Sequence, residues 1–429
     1  MAGSEVLGIT TSSSNIDPTT AAPAPPQITR EQAEAVVRKV LPGHDKSTVR
    51  KITGVRSKGY RCVFLSTFLS TITPHLTAQS ASSHTVQFTN SFTECTMVYI
   101  IDLIRSTDPS VEDNPSDLHT ASDKSECACF LTITHSTTHS LGEYTPNSLP
   151  VINNLLNSIR TKTEIPLTES ILDTSLSLIP YHFLLSGTTT STSERMISVA
   201  DARKLGLLSE KANQLVDLEL GKFLGQLHTN VQNDWFGAPQ LQEPTDPSYT
   251  WQETFTDLFE RLISHFESGD VKIDFDLPYE RIRLSYSRAI GFSLFDDVEV
   301  PSLVWLTGSE EDVFISKPTD PDGLWYFEVC AILPVATHAI WGDPLLESFF
   351  VPPNPTKAMA EGYIGAGGGA LTIYPRQNTK RIWYDLFLAL LVLYEIRNLG
   401  DADEIKERRA WCEKAILDSV DALKDAPNY

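Results

Sequence analysis

The sequence predicts an α+β protein of two lobes, and three observations carry the prediction. In the first half, short runs rich in Val, Ile, Phe, Tyr and Thr stand between polar stretches, the pattern of strands in an antiparallel sheet. Beyond residue 187 the apolar residues recur at helical spacing instead. The 429 residues, at about 100 to 200 per domain, suit two domains or one bilobal unit with a sizeable core.

Residues 1–27 are mostly Ser, Thr, Pro and Ala, with too little apolar surface to offset ordering entropy, and are expected to form a disordered tail. Thr29 with Gln32 three residues later is a capping box, and Ala33, Val36, Val37, Val40 and Leu41 share one face before Pro42-Gly43. That predicts an amphipathic helix. Strands are expected from Lys51 to about Ser66, over Thr96–Ile104 and over Cys127–Thr134, with a Ser/Thr-rich insertion at about 70–126. Thr168–Thr174 reads as a turn and strand, and Tyr181–Gly187 as an apolar strand leading into an interlobe connector. In the second half Val216, Leu220, Phe223, Leu224 and Leu227 share one helix face, as do Trp251, Phe255, Leu258, Phe259, Leu262 and Phe266. Ile382–Leu393 is apolar nearly all round except Asp385, which predicts a buried helix too short to span a membrane. A charged amphipathic helix at about Asp403–Lys424 closes the chain. The expected units are the tail 1–27, an N-lobe at 28–186 and a helical C-lobe at 187–429.

Composition narrows the function. With 41% hydrophobic and 21% charged residues the chain is globular rather than fibrous or wholly disordered. The formal net charge of −21 disfavours nucleic acid and anionic membranes as partners. Six cysteines are too few for a secreted disulfide framework, and there is no Asn-x-Ser/Thr acceptor site without Pro. Met1 to Glu5 lacks a basic, then apolar, leader, and a cytoplasmic location is expected.

Several constellations have both a chemical and a structural reading. Cys127, Cys129, His135 and His139 match a Cys₂His₂ zinc count, but strand alternation points both cysteines to one core face, and no metal site is expected. Gly365–Gly369 offers bare amides for an anion but lacks the Lys-Ser/Thr ending of a phosphate loop, so a flexible loop is expected. His228 reads as a hydrogen-bonded core residue. Asp343 either caps the turn after it or reaches into a catalytic site. Lys58 and Arg61, flanking Gly59, either hold an anionic ligand or stand on a solvated hairpin.

Read in order, Leu220-Gly-Lys-Phe-Leu-Gly-Gln-Leu-His228, Trp235-Phe-Gly237, Pro301-Ser-Leu-Val304, Ile340-Trp-Gly-Asp-Pro-Leu-Leu-Glu347, Gly362-Tyr363, Arg381–Asp385 and Tyr394–Arg397 resemble the aminoglycoside phosphotransferase and choline kinase-like family, in particular its fungal members. The resemblance covers residues 180–400 best. In the first half it rests on the Gly54–Gly59 loop and on Ile165-Pro-Leu-Thr-Glu169. It implies a bilobal protein-kinase-like fold with an antiparallel-sheet N-lobe and a helical C-lobe.

Phosphoryl transfer in such a fold needs a base, Mg²⁺ ligands and a Lys fixed by a Glu. The resemblance puts Trp305 and Thr307 where the family has the His and Asp of His-x-Asp-x-x-x-x-Asn, and Asp312 in place of the Asn. Counting back from Trp341 puts Val335 at the metal-binding Asp, and the nucleotide-anchoring Lys falls on Thr132. Val151–Ile159 offers no Glu. The expectation is a degenerate kinase-fold protein whose interlobe cleft, with Lys58, Arg61, Trp305, Thr307 and Val335, binds a small organic molecule without cofactor, in fungal secondary metabolism as the resemblance implies. The alternatives are an active phosphotransferase rebuilt on Asp312 and Asp343 with Glu310 or Glu311, and a regulatory pseudokinase that binds another protein.

Overall fold

The computed structural model describes residues 26–55, 96–104, 126–135, 147–187, 196–269, 271, 273, 275–306, 308–316, 328–333, 335–398 and 403–427. The expectations for residues 1–25, for Lys58 and Arg61, and for His139 and Thr307 lie outside these residues.

The chain has the α+β, kinase-like architecture, with an antiparallel sheet followed by a mainly helical lobe. Helix α1 (Arg30–Val40) starts at the expected capping box, in which Gln32 accepts the Thr29 N–H at 2.9 Å and the Thr29 hydroxyl accepts the Gln32 N–H at 3.2 Å. Strands β1 (Thr48–Val55), β2 (Thr96–Ile104), β3 (Glu126–Thr134), β4 (Ser170–Asp173) and β5 (His182–Ser186) form one sheet in the order β1-β2-β3-β5-β4. Helix α2 (Leu149–Lys162) lies between β3 and β4 in sequence. Period-two alternation divides β3 between two cores. Cys127, Cys129, Leu131 and Ile133 pack with Ala33, Val36 and Val37 of α1, whereas Ala128 and Phe130 join α2 and the C-lobe in one continuous core. The chain just before α1 is fastened to this sheet, because Pro26 accepts from the Tyr99 hydroxyl at 3.0 Å and the Gln27 N–H donates to the Tyr181 hydroxyl at 3.3 Å.

The second lobe holds β6 (Met196–Ser198), α3 (Val199–Lys204), α4 (Glu210–Asn230), α5 (Trp251–Glu267) and α6 (Tyr279–Gly291). These are followed by β7 (Ser302–Trp305), β8 (Val313–Ser316), β9 (Val329–Ile332), β10 (Ala339–Gly342), α7 (Lys357–Gly365), α8 (Pro375–Glu395) and α9 (Asp403–Asp425). The five short strands are additions to the helix-rich reading of this half. Each has three or four residues, too few to show a period of their own. Helix α8 is also longer than the apolar run Ile382–Leu393. It begins at Pro375, where the Gln377 side chain accepts the N–H groups of Ile373 and Tyr374, and it carries Lys380 and Arg381 buried. Among the described residues no helix is long and apolar enough to cross a membrane.

Of the four residues of the zinc count, His139 lies outside the described residues. Cys127 and Cys129 are buried in the α1-side core, and burial pushes the Cys129 thiol up. The His135 ring lies edge-on to Tyr181 at 5.4 Å. No group of three or more His, Cys, Asp or Glu is placed to hold a metal among the described residues. Gly365–Gly369 is the C-terminal turn of α7: the Gly368 N–H returns to the Tyr363 carbonyl at 3.0 Å, and a Cβ on Gly368 would run into the Tyr363 ring.

Candidate functional site

The short strands of the C-lobe assemble one cluster. β7 pairs antiparallel with β10, Trp305 opposite Ala339, and β8 pairs with β9. The loop from Leu306 to Asp312 joins β7 to β8, and Leu333, just past β9, donates its N–H to the Asp312 carbonyl at 2.8 Å. Trp305 and Asp312 therefore mark the two ends of one loop, with the end of β9 against it.

Several of the polar groups at this loop make internal bonds. Asp312 is fully buried, and one carboxylate oxygen accepts the N–H and hydroxyl of Ser309 at 3.0 and 3.3 Å. The Trp305 N–H donates to Glu347 Oε2 at 3.0 Å. Glu347 is itself fully buried and meets His228 Nε2 at 3.3 Å, while His228 Nδ1 meets the Tyr363 hydroxyl at 2.8 Å. His228 is the hydrogen-bonded core residue expected, and it links α4 and α7 to the strand end. Glu310 pairs with Arg203 of α3, which also pairs with Asp217 of α4. Burial works against the Arg203 charge, yet the two carboxylates outweigh it and raise its pKa. Asp217 also accepts from the Thr356 hydroxyl at 2.9 Å.

Asp343 belongs to a separate network. Its Oδ1 accepts the Leu345 N–H at 2.9 Å, the expected cap of the turn at Pro344–Leu346. Its Oδ2 accepts from Lys380 Nζ at 2.8 Å and from the Tyr384 hydroxyl at 2.7 Å, and Trp251 Nε1 donates to that hydroxyl at 2.8 Å. Burial opposes the charge on Lys380, but Asp343 and Asp297 prevail and raise its pKa. The structural reading of Asp343 is the one the geometry carries, because a buried ammonium and two hydrogen bonds hold its carboxyl inside the C-lobe.

Trp305 is 2% exposed and packs 6.0 Å from the Phe349 ring, so it lies beneath the loop rather than on an open wall. Its indole N–H has no hydrogen-bond partner among the described residues. Val335 begins a 3-10 turn, Val335–His338, and Leu333 rather than Val335 is the residue whose backbone meets Asp312. Burial holds His338 of that turn neutral, with its pKa lowered to about 3. Because the Trp305 indole N–H is buried without a partner among the described residues, Trp305→Phe is expected to leave the melting temperature unchanged or slightly raised, the desolvation cost of a lone N–H being about 1–3 kcal/mol. A drop of several degrees in a calorimetric scan would show that the indole nitrogen is used.

The two lobes meet where Phe130 of β3 and Phe314 of β8 lie with ring centroids 6.4 Å apart, both buried. Thr132, two residues along the same face of β3, is 4% exposed. Asn147, just before α2, donates to the carbonyls of Ala336 and Ala339 at 2.8 and 3.1 Å. Phe314, Leu333, Glu347, Arg203, Lys380 and Asn147 were not candidates in the sequence. Their roles come from partners far away in the chain, such as Lys380 with Asp343, 37 positions apart.

No family model and no curated protein matches the sequence. Solved structures do. A Ralstonia eutropha protein assigned as an aminoglycoside phosphotransferase superposes with a TM-score of 0.53 at 9% identity, over 94% of this chain and 100% of that one. Aminoglycoside phosphotransferase APH(4)-Ia gives 0.44 at 13% identity, over 90% and 98%. A choline/ethanolamine kinase family protein from Mesorhizobium loti gives 0.39 at 11% identity, over 70% and 89%. At these identities the likeness to the first establishes the fold: this chain is built as a bilobal kinase-like α+β protein.

Proposed function

We propose that the protein is a kinase-fold relative of the aminoglycoside phosphotransferases and choline kinases whose interlobe cleft binds a small organic molecule without transferring phosphate by that family's mechanism. On this reading residues 28–186 and 187–429 are the two lobes, the protein is cytoplasmic, and its setting is the fungal secondary metabolism that the sequence resemblance implies. The observation that carries the proposal is the cluster at the ends of β7 and β9. There the chain presents a buried Trp305 and a Leu333 backbone, and Asp312 at the loop end has one carboxylate oxygen engaged by Ser309. Phosphoryl transfer needs a base free to take a proton and carboxylates free to hold Mg²⁺.

Two further features favour it. Glu310 and Asp343, two of the acids that a rebuilt kinase site would recruit, each face a cation, the half-buried Arg203 and the buried Lys380. At the lobe junction Phe130 and Phe314 touch, so a planar base entering between β3 and β8 would have to push these buried rings away from each other. A floor with fewer charges suits a neutral or apolar ligand, which loses less hydration than a triphosphate on burial.

The test is ADP formation by the full-length protein with ATP and Mg²⁺ across amino- and hydroxyl-bearing acceptors. No turnover above the buffer rate is expected. Turnover abolished by Asp312→Ala would defeat the proposal in favour of a rearranged kinase.

A further inference from the structure

Away from the lobe junction, α6, α8 and α9 surround a notch in the C-lobe that encloses about 30 Å³. A single water needs about 10–15 Å³ by this measure, so the floor takes about two water-sized groups, the dimensions of the oxygens of one carboxylate or phosphate. The polar groups on its walls are Ser285 and Arg288 from α6, Thr379 from α8 and Lys424 from α9, with Trp383 as an aromatic side. Among the described residues no acidic side chain lines it, in a chain with 55 Asp and Glu against 34 Lys and Arg.

The charges around the notch are unevenly matched. Arg281 and Arg283, on the same helix, pair with Asp421 and with Glu260 and Glu267. Among the described residues no carboxylate pairs with Arg288. Lys424 pairs only with Asp421, which lies outside the wall. Two cations and two hydroxyls from three helices thus line one recess, and of the cations Lys424 carries Asp421 as its counter-charge while Arg288 has none among the described residues. A guanidinium fork in such a place matches the oxygens of a carboxylate or phosphate, which it holds through charge-assisted hydrogen bonds.

We propose that this notch binds a small oxyanion, a phosphate or a carboxylate group, with Arg288 as the principal contact and Lys424, Ser285 and Thr379 around it. It shares no residue with the β7–β9 cluster, so it stands or falls independently of the function proposed above.

The experiment follows the melting temperature and tryptophan fluorescence of the full-length protein during titration with sodium phosphate and, separately, sodium acetate, chloride holding ionic strength constant. A saturable response to one of the two is expected, and which anion gives it identifies the group. Arg288→Ala should weaken the response at least about tenfold, which is about 1.4 kcal/mol. Arg288→Lys should restore some of it. Because the Arg288 side chain is exposed and carries no ion pair, the Ala variant is expected to melt like the parent in chloride alone. Identical titrations for the parent and Arg288→Ala, or a non-saturating response matched by chloride, would overturn the site.

Discussion

Gly221→Ala is expected to unfold the protein or to cost about 3 kcal/mol or more. Helices α4 and α7 approach so closely that a Cβ on Gly221 would fall inside the van der Waals radius of the Met359 carbonyl oxygen. Gly362 stands in the same relation to the Leu218 carbonyl, and Gly225 faces the Tyr363 carbonyl. The obstacle is helix backbone in each case, which cannot swing aside as a side chain can. The seam also places Tyr363 against His228, and through Glu347 it holds the Trp305 N–H at the strand end. Parting the helices should therefore loosen the candidate site as well as the lobe. A Cβ on Gly291, the last residue of α6, would meet nothing within 4 Å, and Gly291→Ala should be neutral or slightly stabilising. Chemical denaturation of the two variants side by side checks the contrast, and equal midpoints would refute the packing account.

Lys380→Met is expected to cost about 3–5 kcal/mol, the range for breaking a buried ion pair from one side. Lys380 is 3% exposed and its ammonium lies 2.8 Å from both Asp343 and Asp297. Removing it leaves Asp343, also 3% exposed, with only the Tyr384 hydroxyl and the Leu345 N–H as partners. Burial and the Asp343 charge both raise the Tyr384 pKa, so that hydroxyl stays protonated and can donate but cannot supply a counter-charge. The double variant Lys380→Met with Asp343→Asn should recover much of the loss, because the uncompensated charge is gone. Denaturant midpoints of the parent, both single variants and the double variant close the cycle. A double variant no more stable than Lys380→Met alone would show that packing, rather than charge, sets the cost.

How much of this was legible in the sequence depends on the range of the interaction. Local patterns carried the capping box at Thr29 and Gln32, strands β2 and β3, the buried character of α8 and the turn-capping role of Asp343, each set by residues within a few positions of one another. The kinase-like arrangement was legible through the order of the motifs, although identity to a solved structure of that fold is only 9%. The site was much less so. Nothing near Glu347 in the chain signals that it will be fully buried between His228 and the Trp305 N–H, 119 and 42 positions away. A ring such as Phe130 reads as ordinary core in any strand, and only the fold brings it to Phe314 at the lobe junction.

The most direct measurement is a thermal shift of the full-length protein with ATP and Mg²⁺, since a ligand at 100 times its Kd stabilises a protein by about 2.7 kcal/mol. With Trp305 and Leu333 at the strand ends, one oxygen of Asp312 held by Ser309 and the Phe130 and Phe314 rings facing each other at 6.4 Å at the lobe junction, no nucleotide-dependent shift is expected at millimolar ATP. A saturable shift that requires Mg²⁺ and disappears in Asp312→Ala would contradict that account and make the protein a working kinase with a rearranged site.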